Sequence, residues 1–204
     1  MFITFEGIDY SGKSTQANLL VERLQKQGRE VVFLREPGGT AISEKIREIL
    51  LDKQHLELNQ IAELFLFSAA RTQLVSEVIQ PVLKSGKIVI CDRFYDSTTA
   101  YQGYGRGIDL KDVDAINRIA SCGTTPDITF FIDIEIEEIY RRQKAAGISA
   151  DRMESSGKDF FERVRKGYLQ LADKESERFY VVDGKLSVDK IHKEIWDIVQ
   201  KKII

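Results

Sequence analysis

Phe5-Glu6-Gly7-Ile8-Asp9-Tyr10-Ser11-Gly12-Lys13-Ser14-Thr15 is the stretch that decides the fold. From Gly7 to Ser14 it fits the pattern G-x-x-x-x-G-K-[ST]. The apolar run Met1 to Phe5 precedes it and reads as a buried strand. Gln16 to Leu24 follows, with Leu19, Leu20 and Leu24 at helical spacing. Strand, glycine loop and helix in that order are the context in which this pattern has a mechanism. Backbone N–H groups of the loop and of the helix N-terminus point at one concave spot, which favours an anion. Gly7 and Gly12 allow backbone angles and a close approach that a Cβ would block. Lys13 is expected to bring a point charge to the β- and γ-phosphates of a nucleoside triphosphate. The Ser14 hydroxyl is placed to ligate a Mg²⁺ ion bridging the same oxygens. The triphosphate contacts are therefore expected along Gly7, Ile8, Asp9, Tyr10, Ser11, Gly12, Lys13, Ser14 and Thr15.

The rest of the chain is compatible with one domain over residues 1–204. That length supports one proper core and is short for two. Apolar residues make up 43% and charged residues 30%, the balance of a soluble globular protein. The net charge of −2 offers no global basic field for nucleic acid. The chain opens on a strand, without the basic and apolar regions of a secretory signal, and no apolar run reaches membrane-spanning length. Cys91 and Cys122 are the only cysteines. With His55 and His192 they form no metal-ligand spacing and no disulfide framework. Cys91 sits in an expected strand and reads as a small core residue. A cytoplasmic setting follows.

Strands are expected at Phe2–Phe5, Val31–Leu34, Ile88–Cys91, Ile128–Ile132 and Phe179–Val182. Helices are expected at Lys13–Gln27, Ser43–Leu51, Glu57 to about Lys84 with a break near Pro81, Asp109–Ser121, Glu135–Ala145, Phe160–Lys174 and Val188–Lys202. Short, continuously apolar strands alternating with helices imply a doubly wound, five-stranded parallel sheet covered by helices on both faces. Ligands of such sheets sit outside the carboxyl ends of the strands. The polar residues there are Asp9, Arg35 and Glu36, Asp92 and Arg93, and Asp133, and all are expected to converge on one crevice. Asp92 is placed to be the second Mg²⁺-associated group. The planar fork of Arg93 suits a phosphate.

Three further stretches are less decisive. Phe67 and Arg71 are four apart and share a helical face. Spacing alone favours Phe67 as core, with a ring-stacking role as the alternative. Ser97, Thr98, Tyr101 and Gln102 read as a polar, aromatic loop interrupted by Gly103, Gly105 and Gly107. Such a loop presents an amide and a phenol either to a base edge or to solvent. Tyr140 to Lys158 is rich in charge and small residues and reads as a lid around 143–158, or else as a solvated helix end and loop.

Taken together, Arg35-Glu36-Pro37-Gly38-Gly39-Thr40, Leu66-Phe67-Ser68-Ala69-Ala70-Arg71, Asp92-Arg93-Phe94 with Ala100-Tyr101-Gln102-Gly103, Asp151-Arg152-Met153-Glu154 and the glycine loop resemble bacterial thymidylate kinases over nearly the whole chain. The resemblance implies transfer of the γ-phosphoryl of ATP to dTMP, with Mg²⁺, in the synthesis of dTTP. It implies that Phe67 stacks on thymine and Arg71 orients the base. Arg93 would bind the acceptor phosphate, and Ser97 and Thr98 would be among the substrate-binding residues. Tyr101 and Gln102 would select deoxyribose and base, and Glu36 and Pro37 would line the acceptor side, with a cis bond before Pro37. Asp9 would lie near the sugar or the metal, Arg142 near the adenine, and Arg152 would belong to the lid and to a catalytic group with Lys13, Arg93 and Asp9, with Arg141, Arg142 and Lys144 as the alternatives for the lid cation that reaches the transferred phosphoryl. A homodimer is implied as well. Tyr10 stands where the family commonly has glycine or arginine, which shifts the charge expected there to the lid. A kinase for another nucleoside monophosphate, a GTPase switch and a non-catalytic nucleotide-binding module are the competing readings. The GTPase lacks its N-K-x-D here, acceptor choice separates the kinases, and binding of ATP and dTMP without turnover would mark the non-catalytic module.

Overall fold

The computed structural model describes residues 1–147 and 151–203. Five strands, β1 (Phe2–Glu6), β2 (Val31–Arg35), β3 (Ile88–Asp92), β4 (Ile128–Asp133) and β5 (Phe179–Asp183), form one parallel sheet in the order β2-β3-β1-β4-β5. Each strand runs one residue beyond its expected end, because the ladder continues into the polar residue. Arg35 pairs with Asp92, for instance, and Asp133 with Asp183.

Alternation along the strands sorts the core into two faces. Ile3, Phe5, Ile90 and Phe130 pack on one face against α1 (Lys13–Lys26) and α9 (Val188–Ile203), through Leu20, Leu24, Ile195 and Trp196. On the other face Phe2, Val89 and Cys91 meet Leu74, Val75 and Ile79. Phe131 and Phe179 on that face meet α8 (Lys158–Lys174) through Val164 and Tyr168. Cys91 is a buried core residue, and burial with nearby carboxylates pushes its thiol far up. The remaining helices are α2 (Ala41–Leu51), α3 (Gln60–Leu74), α4 (Gln80–Lys84), α5 (Tyr95–Thr98), α6 (Leu110–Ala120) and α7 (Ile136–Ala146). No helix among the described residues is long and apolar enough to cross a membrane.

Two helical expectations are corrected. The helix from α3 does not break at Pro81. It starts at Gln60, capped by the Asn59 side chain, and passes through a π-helical turn at Val75–Ile79 into α4. A proline ring clashes with the carbonyl four residues back in an α-helix, and a wider turn just upstream removes that conflict. The segment read as a glycine-interrupted loop is also helical, as α5 followed by a π-helix at Thr99–Gly105. Gly103 and Gly105 within it are packing positions, while Gly107 past its end takes φ 81° with open space around it. A Cβ on Gly105 would lie 2.6 Å from Phe160 Cε2, and one on Gly103 would lie 2.7 Å from Leu110 Cδ2. The π segment therefore lies directly against α8 and α6.

Adjacent strands β1 and β3 send their following helices to opposite faces. Ala17 and Leu20 of α1 are on one side, and Ala100 and Tyr101 of the π segment on the other. The gap between the two strand ends is a switch point, the place where open α/β sheets bind ligands.

Candidate active site

The loop after β1 turns as its glycines require. Gly7 has φ 147° and a Cβ there would meet Ser11 Oγ at 2.8 Å, while Gly12 has φ 100° and enters α1. Tyr10 takes φ 66° although it carries a Cβ, an unusual conformation of the kind that gathers at functional sites. Arg93, just past β3, does the same at φ 72°.

Lys13 and Arg93 come from the two sides of the switch point and meet at one atom. Asp9 Oδ1 accepts from Lys13 Nζ at 2.8 Å and from Arg93 Nη2 at 2.9 Å. Burial opposes ionisation of Asp9, but Arg93 and Lys13 outweigh it and hold the carboxyl far below its usual range. The rest of the Arg93 guanidinium lies on hydroxyls: Ser97 Oγ at 3.1 Å, Tyr101 OH at 3.2 Å and Tyr168 OH at 3.4 Å. Beneath them sits Glu6, fully buried. It accepts from the Phe94 backbone N–H at 2.7 Å, and from the hydroxyls of Ser97 and Tyr168. Burial and the nearby Asp96 push Glu6 up to about 7, against the pull of Ser97 and Arg93. Glu6 belongs to the quoted stretch, yet nothing local marks it. Its partners lie 88 to 162 residues away.

On the triphosphate side, the Ser14 hydroxyl bonds Asp92 Oδ2, and Asp92 Oδ1 is buried without a hydrogen-bond partner. A hydroxyl, a carboxylate and an unsatisfied acceptor side by side fit Mg²⁺, which takes one or two protein oxygens and leaves its other positions to water and phosphate. Arg142 lies against the glycine loop. Its guanidinium donates to the carbonyls of Tyr10 and Ser11 at 3.3 and 3.2 Å and to Gly184 O, past β5, at 3.0 Å.

On the acceptor side a cavity of about 180 Å³ opens beside Asp9 and Arg93, lined by Phe67, Tyr101 and Gln102 among others. Phe67 is half-buried and borders this cavity. Arg71, also on the lining, is fixed beneath it: Nε donates to Glu36 at 2.7 Å, and Nη1 to Thr98 Oγ1 at 2.9 Å. Glu36 and Pro37 line the same cavity, and their peptide bond is cis as the resemblance implied. Arg47 and Leu51 line it as well without having been singled out as site residues in the sequence, and Glu154 of the expected lid stretch joins them. Arg47 sits in an ordinary amphipathic helix, and only the fold brings its guanidinium to Pro37 O, at 2.9 Å.

Three expected residues do not take their expected places. Asp133 and Arg35 do not join the crevice. Asp133 forms a bidentate pair with Arg165 of α8 at 2.7 and 2.8 Å, and Arg35 pairs with Glu44. Arg152 is no free lid arginine. It is buried, with Nε on Leu50 O and Nη1 on Glu63 Oε2, both at 2.7 Å. A guanidinium spent on two such bonds is a strut. Of the lid expected around 143–158, residues 148–150 lie outside the described residues.

A phosphate-binding loop at the switch point, a metal-competent serine–aspartate pair, and a cavity across one carboxylate from the loop's lysine define the class: a P-loop nucleotide kinase. The thymidylate kinase family model matches residues 5–195. The chain belongs to the thymidylate kinase family. It is 52% identical over 203 residues to the thymidylate kinase of Pelodictyon phaeoclathratiforme, covering 96% of this chain and 93% of the relative. Against that of Kosmotoga olearia it is 49% identical over 195 residues, with 96% and 93% covered. The crystal structure of thymidylate kinase from Ehrlichia chaffeensis matches with a TM-score of 0.80 at 40% identity, covering 98% of both chains.

Proposed function

We propose that the protein transfers the γ-phosphoryl group of ATP to the phosphate of dTMP, giving dTDP and ADP, a step in dTTP synthesis. The observation that carries this reading is Asp9 Oδ1, on which the donor-side cation Lys13 and the acceptor-side cation Arg93 converge. Two cations that share one oxygen are close enough to hold an anion between them. The acceptor is itself a phosphate oxygen, so little proton abstraction is needed, and positioning and charge neutralisation suffice. Lys13 and the loop N–H groups hold the donor phosphates. Arg93, fixed by Ser97, Tyr101 and Tyr168, holds the acceptor phosphate. Phe67 stacks on the base while Arg71, Thr98, Tyr101 and Gln102 line its pocket with Glu36 and Pro37. Arg142 bounds the donor nucleotide. Ser14 and Asp92 would hold Mg²⁺, which neutralises charge on the transferring phosphates when bound.

We further propose one kinase domain over residues 1–204, working in the cytoplasm as a homodimer. Exposed Ile61 and Phe65 on α3 and Ile42 and Ile49 on α2 supply apolar surface for such a contact.

The test is ADP release with ATP, Mg²⁺ and a panel of dTMP, dUMP, dCMP, dGMP and AMP, with Lys13→Ala as control. Marked preference for dTMP is expected, with turnover lowered by about two orders of magnitude or more in a folded Lys13→Ala variant. Preference for another monophosphate overturns the acceptor, and near-native turnover without Lys13 overturns the loop's role.

A further inference from the structure

We propose that Glu63 is a positioning residue for base selection: it fixes the side-chain amide of Gln102 with the NH₂ turned away from the cavity and the carbonyl turned to the nucleobase. The inference rests on the dTMP reading above and deepens it. Glu63 lies in the first turn of α3 and is 1% exposed. Its carboxylate gathers groups from two separate parts of the chain, the end of the π segment and the stretch at Arg152. Oε1 accepts from Gln102 Nε2 at 2.9 Å and from Arg106 Nε at 3.2 Å. Oε2 accepts from Arg106 Nη2 at 3.2 Å and from Arg152 Nη1 at 2.7 Å. Burial disfavours its charge, but Arg106, Gln102 and Arg152 together hold it below the usual carboxylate range, so it is ionised.

The chemistry then leaves one choice. An ionised carboxylate only accepts hydrogen bonds, while an amide has one end of each kind. Gln102 must offer its NH₂ to Glu63. Gln102 is 2% exposed and lines the cavity, and its amide is held by Glu63 through Nε2. The end left for a ligand is therefore an acceptor. Thymine and uracil carry a hydrogen at N3 and satisfy it, whereas cytosine presents a lone pair there. A site built to hydrogen-bond one base edge leaves its buried polar atom unpaired against the other, and such mismatches are strongly rejected. Arg106 and Arg152 neutralise the carboxylate and hold it in place. This gives Arg152 a use that its distance from a free lid role leaves open.

The experiment is Glu63→Gln. The two arginines retain the carbonyl of the substituted amide, so its NH₂ faces Gln102, whose own amide must turn over. The expected result is a fall in kcat/KM for dTMP and at least about a tenfold fall in the dTMP-to-dCMP ratio, with KM for ATP unchanged. A folded variant that slows both substrates equally, or keeps the ratio, overturns the proposal. A merely structural role would move both alike. Should the variant fail to fold, NMR of the wild-type protein decides. The Gln102 NH₂ pair, assigned through its bonds, is expected to exchange slowly with solvent and to keep its shifts when dTMP is added. Fast exchange, or a large shift on dTMP binding, places the NH₂ at the base and overturns the assignment. A wild-type enzyme that prefers a monophosphate other than dTMP overturns the underlying reading instead, so the two failures are distinguishable.

Discussion

Asp9 shows how a single side chain acquires its properties from what meets it. A third of the side chain is open, yet Lys13 and Arg93 hold its charge in place. The folded group ionises more readily than an ordinary aspartate, so it stabilises the fold above the usual carboxylate range. That contribution is lost as pH falls through the lower folded value. Asp9→Asn is therefore expected to lower the melting temperature most near neutral pH. The difference from wild type should shrink below about pH 4, where the unfolded carboxyl is protonated. Melting curves across pH check this, and a gap that does not depend on pH would remove the ion pair as its cause. Glu6 has the opposite character, because its surroundings resist its charge. Its worth to the site lies in the two hydroxyls and the backbone N–H it holds beneath Arg93.

At the scale of elements, the π-helical segment Thr99–Gly105 is the piece on which the acceptor pocket depends. It carries Tyr101 and Gln102, and it lies this close to α8 because Gly105 on one side and Gly167 of α8 on the other have no side chain. Gly105→Ala would press into Phe160 and Val164, at 2.6 and 2.9 Å. Overpacking of this kind costs about 1–3 kcal/mol. Since the strain falls on the segment holding Tyr101, thermal unfolding should shift down and KM for dTMP should rise while KM for ATP stays. An unchanged KM for dTMP would mean that the segment absorbs the extra methyl elsewhere. Read along the chain, the same glycines mark a loop, because glycine disfavours helix interiors. Packing against α8 and α6 overrides that local preference, and nothing local to Tyr95–Gly105 announces the helices it meets.

At the scale of the whole molecule, the doubly wound sheet places the donor loop and the acceptor pocket on either side of one strand gap. It also leaves α2 and α3 with apolar side chains facing outward. Phe65 is 55% exposed in the middle of α3. A charge there is tolerated in a monomer and rejected in a buried contact. Phe65→Asp is expected to halve the mass measured by light scattering at micromolar concentration while leaving the fold intact. A wild-type protein that is already monomeric would dispose of the homodimer.

The glycine loop, the alternation of strands with helices, and hence the class of sheet and the position of its site were all determined by the sequence itself. Those features rest on contiguous residues and on backbone geometry, where Gly7, Gly12, Lys13 and Ser14 carry their mechanism wherever the loop occurs. Phe67, Arg71, Tyr101 and Gln102 were legible as candidates, but their convergence was not. Tertiary structure alone decided that Arg152 is spent on Glu63, 89 residues away, that Asp133 belongs to Arg165, and that Glu6 underlies Arg93 together with a tyrosine 162 residues on. The reason is physical. A buried charge must find partners, and which partners it finds is fixed by packing across the chain, where local sequence carries no record of the distance.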